Sequence, residues 1–193
     1  MAFKIGILIS GKGSNMLNII KACQSNKLES DVKLVISNKL KAEGIEKAKK
    51  RKIKTEVILK SDFKKKEGFE KAIDFELKKK KINLICLAGF MTILSHRFVR
   101  DWKNKIINIH PSLLPSFKGL NAQSQAYKYG VKYTGCSVHY VDEGIDSGEI
   151  IDQEVVKILE KDTIKSITRK ILMKEHILYI NAIKHLEKIH FYG

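Results

Sequence analysis

The residues best suited to chemistry lie in Asn108-Ile109-His110-Pro111-Ser112-Leu113-Leu114-Pro115. Both prolines of the chain fall here. Proline fixes its own φ and restricts the residue before it, so the backbone leaving His110 is rigid. Asn108 and His110 are two apart at the end of an apolar run that reads as a strand, so both side chains point to one side of a sheet. An amide N–H suits a developing oxyanion, and an imidazole moves protons near neutral pH. Further on, Ser137-Val138-His139-Tyr140-Val141 runs into an acidic turn, Asp142-Glu143-Gly144-Ile145-Asp146-Ser147-Gly148. A carboxylate from this turn is a candidate partner for His110. Asp142, Glu143 and Asp146 compete for that role, and spacing does not choose among them. A simple charged hairpin turn is the alternative.

A second candidate is Ser10-Gly11-Lys12-Gly13-Ser14-Asn15, between an apolar run and a helical pattern. Glycines let backbone approach a ligand, and a helix N-terminus offers free N–H groups and positive potential, so the position suits a phosphate. GxxxxGK[ST] is absent. A third glycine and an acidic residue after the second strand are also missing, so a dinucleotide fingerprint is not met. A tight βα turn capped by Ser14 or Asn15 is the alternative. No metal site is expected: HExxH is absent, and His139 has no partner at ligand spacing.

These segments need elements to hold them. Short apolar runs at Lys4–Ser10, Val32–Ser37, Glu56–Leu59, Leu84–Leu87 and Ile106–His110 read as strands. Helical spacing covers Asn15–Gln24, Ala42–Lys50, Phe63–Lys79 and Leu94–Trp102 between them. Alternation of this kind predicts an α/β fold: a Rossmann-like, mostly parallel twisted sheet with helices on both faces. A helix at Ala122–Tyr129, strands at Cys136–Val141 and Ile150–Val156, and a long helix at Thr163–Glu187 follow. The late strands predict an antiparallel C-terminal addition.

The chain has 193 residues, 44% hydrophobic and 30% charged, which suits one globular domain and excludes disorder. Net charge is +16, and nucleic acid is one explanation. Only Arg51, Arg97, Arg100 and Arg169 are arginines. Readers of bases and phosphates favour the arginine fork, so a general surface bias toward lysine is the other explanation. Lys78 to Lys81 reads as a solvated helix end. Cys23, Cys86 and Cys136 form no CxxC pair, which fits a reducing, cytoplasmic setting. No signal peptide or membrane span is expected, since the longest apolar run, Ile82–Leu94, falls short of the roughly 20 residues a bilayer needs.

Four segments in order resemble one family: Gly11-Lys12-Gly13-Ser14-Asn15, Leu87-Ala88-Gly89-Phe90-Met91, Asn108 to Pro115, and Ser137-Val138-His139 through Asp146-Ser147-Gly148. Over nearly the whole chain the sequence is similar to the phosphoribosylglycinamide formyltransferases, folate-dependent members of the formyltransferase family. The resemblance implies a single formyltransferase domain over 1–193, phosphate-binding in its N-terminal half and folate-binding and catalytic in its C-terminal half. It implies formyl transfer from 10-formyltetrahydrofolate, a co-substrate, to the amine of phosphoribosylglycinamide in purine synthesis, without metal, nucleic acid or membrane. Asn108, His110 and Asp146 match the catalytic trio: Asn108 and His110 stabilise the oxyanion, and Asp146 holds His110. Gly13, Ser14 and Asn15 match the phosphate loop, and Glu175 an acid that contacts the glycinamide substrate. Met91, Thr92, Ile93 and Leu94 match the wall of the folate pocket, Lys66 a folate contact, and His139 a supporting histidine.

The sequence departs from the pattern at four places. Thr92 and Lys66 stand where some members carry arginine, and Asn121 and Gln123 where many carry histidine. Two related enzymes share the trio. Methionyl-tRNA formyltransferase needs a second, tRNA-binding domain, for which 193 residues are not expected to leave room. Formyltetrahydrofolate deformylase has an extra N-terminal domain, not expected where Met1 adjoins the first strand.

Overall fold

A computed structural model describes residues 3–192. Seven strands form one sheet: β1 (Lys4–Ile9), β2 (Asp31–Ser37), β3 (Thr55–Val57), β4 (Leu84–Leu87), β5 (Ile106–His110), β6 (Tyr133–Tyr140) and β7 (Ile150–Lys157). Their order across the sheet is β3-β2-β1-β4-β5-β6-β7. The first five are parallel and the β5–β6 and β6–β7 pairings antiparallel. Among the described residues six α-helices complete the fold: α1 (Ser14–Gln24), α2 (Glu43–Lys50), α3 (Lys66–Lys79), α4 (His96–Asp101), α5 (Ala122–Tyr129) and α6 (Ile164–Tyr192). This is the mostly parallel, Rossmann-like architecture with an antiparallel C-terminal addition.

The core divides into two clusters. One joins Ile5, Ile7 and Ile9 of β1 to Met16, Ile19 and Ile20 of α1 and to Tyr179 and Ile183 of α6. The other joins Leu8, Leu34 and Ile36 to Phe69, Ile73 and Leu77 of α3 and to Phe98 and Trp102. Residues 5, 7 and 9 serve one cluster and residue 8 the other, as strand alternation requires. Each fully buried large side chain contributes about 1.5–3 kcal/mol.

Element boundaries differ from expectation where tertiary pairing acts. α3 begins at Lys66 rather than Phe63, because Lys60–Asp62 form a 3₁₀ turn and Phe63 leaves it extended, with φ −124°. β6 begins three residues early, at Tyr133, because β7 offers partners as far as Lys157. Gly135 permits that pairing: a Cβ there would stand 1.9 Å from the Glu154 carbonyl oxygen. α4 begins at His96, where the Ser95 hydroxyl accepts from Phe98 N–H and caps the helix.

Glu70 of α3 strengthens that cap from outside. It is 5% exposed and accepts from Ser95 N–H at 2.6 Å and from the Ser95 hydroxyl. In a capping box the acceptor for the cap N–H comes from the helix's own third residue. Here that residue is Phe98, and Glu70 takes the role. Ser95 directly follows Met91–Leu94, so Glu70 also fixes the end of that segment. Glu70→Ala strips a half-buried N–H of its partner and is expected to cost about 1 kcal/mol of stability. Urea unfolding checks it, and an unchanged midpoint would remove Glu70 from this role.

Candidate active site

The ends of the parallel strands bring the candidate segments to one sheet edge, the usual ligand side of an open α/β sheet. β5 delivers Asn108 and His110 there, and β6 pairs His139 directly opposite Asn108. Asp146 closes on both strands. Its Oδ2 lies 3.2 Å from His110 Nδ1 and accepts from Gly119 N–H at 2.8 Å. Its Oδ1 lies 3.5 Å from Asn108 Nδ2 and 3.6 Å from His139 Nε2.

The structure separates the three competing acids. Asp142 accepts from Gly144 N–H and the Ser147 hydroxyl inside its own turn. Glu143 faces His96 and Arg100 of α4. Asp146 is the acid beside His110.

His110 is 5% exposed, and its Nε2 lies 2.9 Å from the Phe117 carbonyl oxygen. Both ring nitrogens therefore face acceptors. The doubly protonated ring makes both hydrogen bonds, and a neutral ring makes one. His139 is different. Its Nδ1 faces the Tyr140 carbonyl at 2.8 Å, and its Nε2 lies 3.2 Å from Asn108 Nδ2 and 3.6 Å from Asp146 Oδ1, so a neutral ring accepts from the amide and a protonated ring donates to the carboxylate.

The rigid exit is held by contacts that local spacing does not reveal. The Ser137 hydroxyl donates to Ser112 O and accepts from Leu114 N–H, and Gln153 reaches both Leu114 O and Ser137. Phe117, the acceptor for His110, has φ 55°, an unfavourable conformation for a bulky side chain.

Burial pushes the Asp146 carboxyl up, but the His139 ring, the Gly119 N–H and the His110 charge outweigh it, and the group sits below the ordinary aspartate value. A depressed carboxylate stabilises the fold above its unfolded-state pKa, and that stability is lost as pH falls through the folded value. The stability gap between wild type and Asp146→Asn is therefore expected to shrink on acidification through the aspartate range. Urea unfolding from neutral to acid pH measures it, and a gap that widens contradicts the sign.

Gly13, with φ 65°, precedes α1, and neither Ser14 nor Asn15 caps that helix through its side chain. The first-turn N–H groups are left open, with no acidic residue in that turn. Asn15 instead donates to Glu175 Oε2 of α6 at 2.8 Å, while its own Oδ1 is buried without a partner. Glu175 is 7% exposed, and burial raises its pKa against the lowering effect of Asn15.

Met91 and Ile93 expose apolar side chains, Thr92 is half-buried, and Leu94 turns into the core. Ser10 ties this segment to the glycine loop: its N–H donates to Gly89 O, and its hydroxyl accepts from Met91 N–H at 2.7 Å. Thr92 accepts from Asn38 at the end of β2. Lys66 lies 3.8 Å from Glu70. Asn121 is exposed with φ 59° just before α5, and Gln123 is half-buried within it. Ser10, Asn38, Glu70, Phe117 and Gly119 carried no sequence signal of these roles. Among the described residues no group of three His, Cys, Asp or Glu side chains is placed to hold a metal ion. No described helix is long and apolar enough to cross a membrane.

Residues 3–183 match the Formyl transferase family. The chain is 38% identical over 183 residues to phosphoribosylglycinamide formyltransferase of Bacillus subtilis, covering 95% of this chain and 94% of that protein. It is 45% identical over 183 residues to the trifunctional purine biosynthetic protein adenosine-3 of Chironomus tentans, covering 94% of this chain but only 13% of that longer protein. The crystal structure of glycinamide ribonucleotide transformylase 1 from Geobacillus kaustophilus superposes with a TM-score of 0.94 at 37% identity, covering 96% of this chain and 99% of that one. With a matching fold, length and ordered site segments, this chain belongs to the formyl transferase family.

Proposed function

We propose that this protein transfers the formyl group of 10-formyltetrahydrofolate to the amine of phosphoribosylglycinamide, a step of purine biosynthesis. The observation that carries the proposal is the closure of Asp146 onto Asn108 and His110 at the sheet edge. The full-length similarity to phosphoribosylglycinamide formyltransferases supports it.

Each candidate residue has a physical role in that reaction. The α1 N-terminus with Gly13, Ser14 and Asn15 seats the acceptor's phosphate, where free N–H groups and the helix dipole favour an anion. Glu175 and the unpaired Asn15 Oδ1 accept hydrogen bonds from the same substrate. Met91 and Ile93 supply apolar contact for the folate ring, and the backbone of Met91 to Leu94 reads its polar edge. Lys66 stands at the α3 end of that segment, where its ammonium suits the folate carboxylates. These groups suit an acidic folate, and what it brings is the formyl group.

The acceptor amine attacks the formyl carbon, forming a C–N bond and a tetrahedral oxyanion. Asn108 Nδ2 donates to that oxygen. One of its hydrogens is held only by the 3.5 Å contact to Asp146, so redirecting it costs little. His110 stabilises the same charge and carries the proton released by the attacking nitrogen toward folate N10 as the C–N10 bond breaks. Asp146 keeps His110 oriented and balances its charge.

The amine, rather than water, must be the acceptor. Product folate is expected to appear only when phosphoribosylglycinamide is present. Equal release of formate without it would make the protein a hydrolase and overturn the proposal.

A further inference from the structure

The glycine loop is gripped by a second helix. Gly44 N–H of α2 donates to Gly11 O at 3.0 Å, and a Cβ on Gly44 would stand 2.5 Å from Ile9 Cδ1 and 3.3 Å from Gly13 Cα. Glycine at 44 therefore lets α2 rest against the loop. One turn further on, Lys47 Nζ donates to the Lys12 carbonyl at 2.8 Å and pairs with Glu43 at 3.2 Å. An ammonium has three donors. Two are taken, and among the described residues the third has no acceptor. The Lys47 side chain remains 38% exposed. It thus fixes a positive charge on the rim of a loop whose helix lacks a side-chain cap and first-turn acids. Asn15, 8% exposed, adds an independent pointer to the same acceptor: its Oδ1 is buried and unpaired, and as a hydrogen-bond acceptor it suits a donor on the ribose or glycinamide part beside the phosphate.

We propose that Lys47 is a phosphate-binding residue, its third donor meeting the phosphate monoester of the acceptor on the open N-terminus of α1. The backbone N–H groups give the anion direction, and Lys47 gives it countercharge. Glu43 holds the ammonium near the loop when the phosphate is absent. This rests on the acceptor proposed above.

The test removes the phosphate and the lysine separately. Lys47→Met and Lys47→Arg are compared with wild type on phosphoribosylglycinamide and on the same glycinamide riboside without phosphate. Lys47→Met is expected to raise KM for the phosphorylated acceptor by about tenfold, the loss typical of one charge-assisted contact. Its kcat and its KM for the formyl donor stay near wild type, and Lys47→Arg recovers most of the loss. On the riboside, wild type and Lys47→Met are expected to share one kcat/KM. A purely structural lysine would lower both acceptors equally, and that result overturns the proposal, as does an unchanged KM. Calorimetry with ribose 5-phosphate separates this from the identity of the acceptor. If wild type formylates neither compound, the acceptor assignment falls. Weaker ribose 5-phosphate binding by Lys47→Met still supports a phosphate contact, and unchanged binding refutes it.

Discussion

His110→Ala is expected to lower kcat for formyl transfer by about 10²–10⁴-fold, the usual worth of a positioned acid–base group. The ring is nearly buried and held at both nitrogens, by Asp146 and by the Phe117 carbonyl. The ring is therefore already ordered, its Nε2 reaches the reacting atoms by leaving the Phe117 carbonyl, and imidazole is the trio's side chain suited to moving protons near neutral pH. Deletion also leaves the Asp146 carboxylate without its nearest countercharge. Urea unfolding of the variant separates damage to the fold from damage to chemistry. KM for both substrates should stay within a few-fold, because the groups that hold the ring, Asp146 and the Phe117 carbonyl, belong to neither the α1 terminus nor Met91–Leu94. A loss below tenfold in a folded variant would remove His110 from the chemical step.

Asn108→Ala is expected to cost about 10²–10³ in kcat, or roughly 2.7–4 kcal/mol, as for loss of one oxyanion donor. The effect should fall on kcat and kcat/KM alike, since the donor meets full charge only in the transition state. Asn108→Asp sharpens the claim: it keeps the shape, replaces the donor with an acceptor and adds charge beside Asp146. It should be at least as damaging as alanine. An active Asn108→Asp enzyme would mean that the amide hydrogen is not what stabilises the oxyanion.

Much of this site is legible in the chain because its signals are local. Two prolines and a short apolar run locate β5, and strand alternation then sends Asn108 and His110 the same way. The glycine loop declares itself by lying between a strand and a helix. The choice of Asp146 is not local. It depends on Glu143 being drawn away to His96 and Arg100 and on Asp142 being consumed by its own turn. Gly119 N–H, the other group that holds Asp146, lies 27 residues earlier in the chain. Glu70 is still less visible. In sequence it is one more acid on a lysine-rich helix, and its burial appears only when α3 packs beside Ser95. The alternative reading of the glycine loop, a turn capped by Ser14 or Asn15, is not met: no side chain caps α1, and Asn15 turns to Glu175 on a helix 160 residues away.

The +16 charge also takes a more specific form. Several lysines form exposed pairs along helices, such as Lys49 with Glu46 and Lys78 with Asp74. Exposed pairs like these are screened by solvent and contribute little to stability. Lys47 is less exposed than either of these lysines, and its ammonium bonds to the backbone of the glycine loop.

The most direct test of the central claim follows the formyl carbon itself. Enzyme in excess is mixed with phosphoribosylglycinamide and 10-formyltetrahydrofolate carrying ¹³C in the formyl group, and the label is located by NMR after one turnover. The account predicts that the label moves to the glycinamide nitrogen as formylated product, with tetrahydrofolate released in equal amount. Label retained on folate, or recovered as formate with the acceptor amine unchanged, would contradict it.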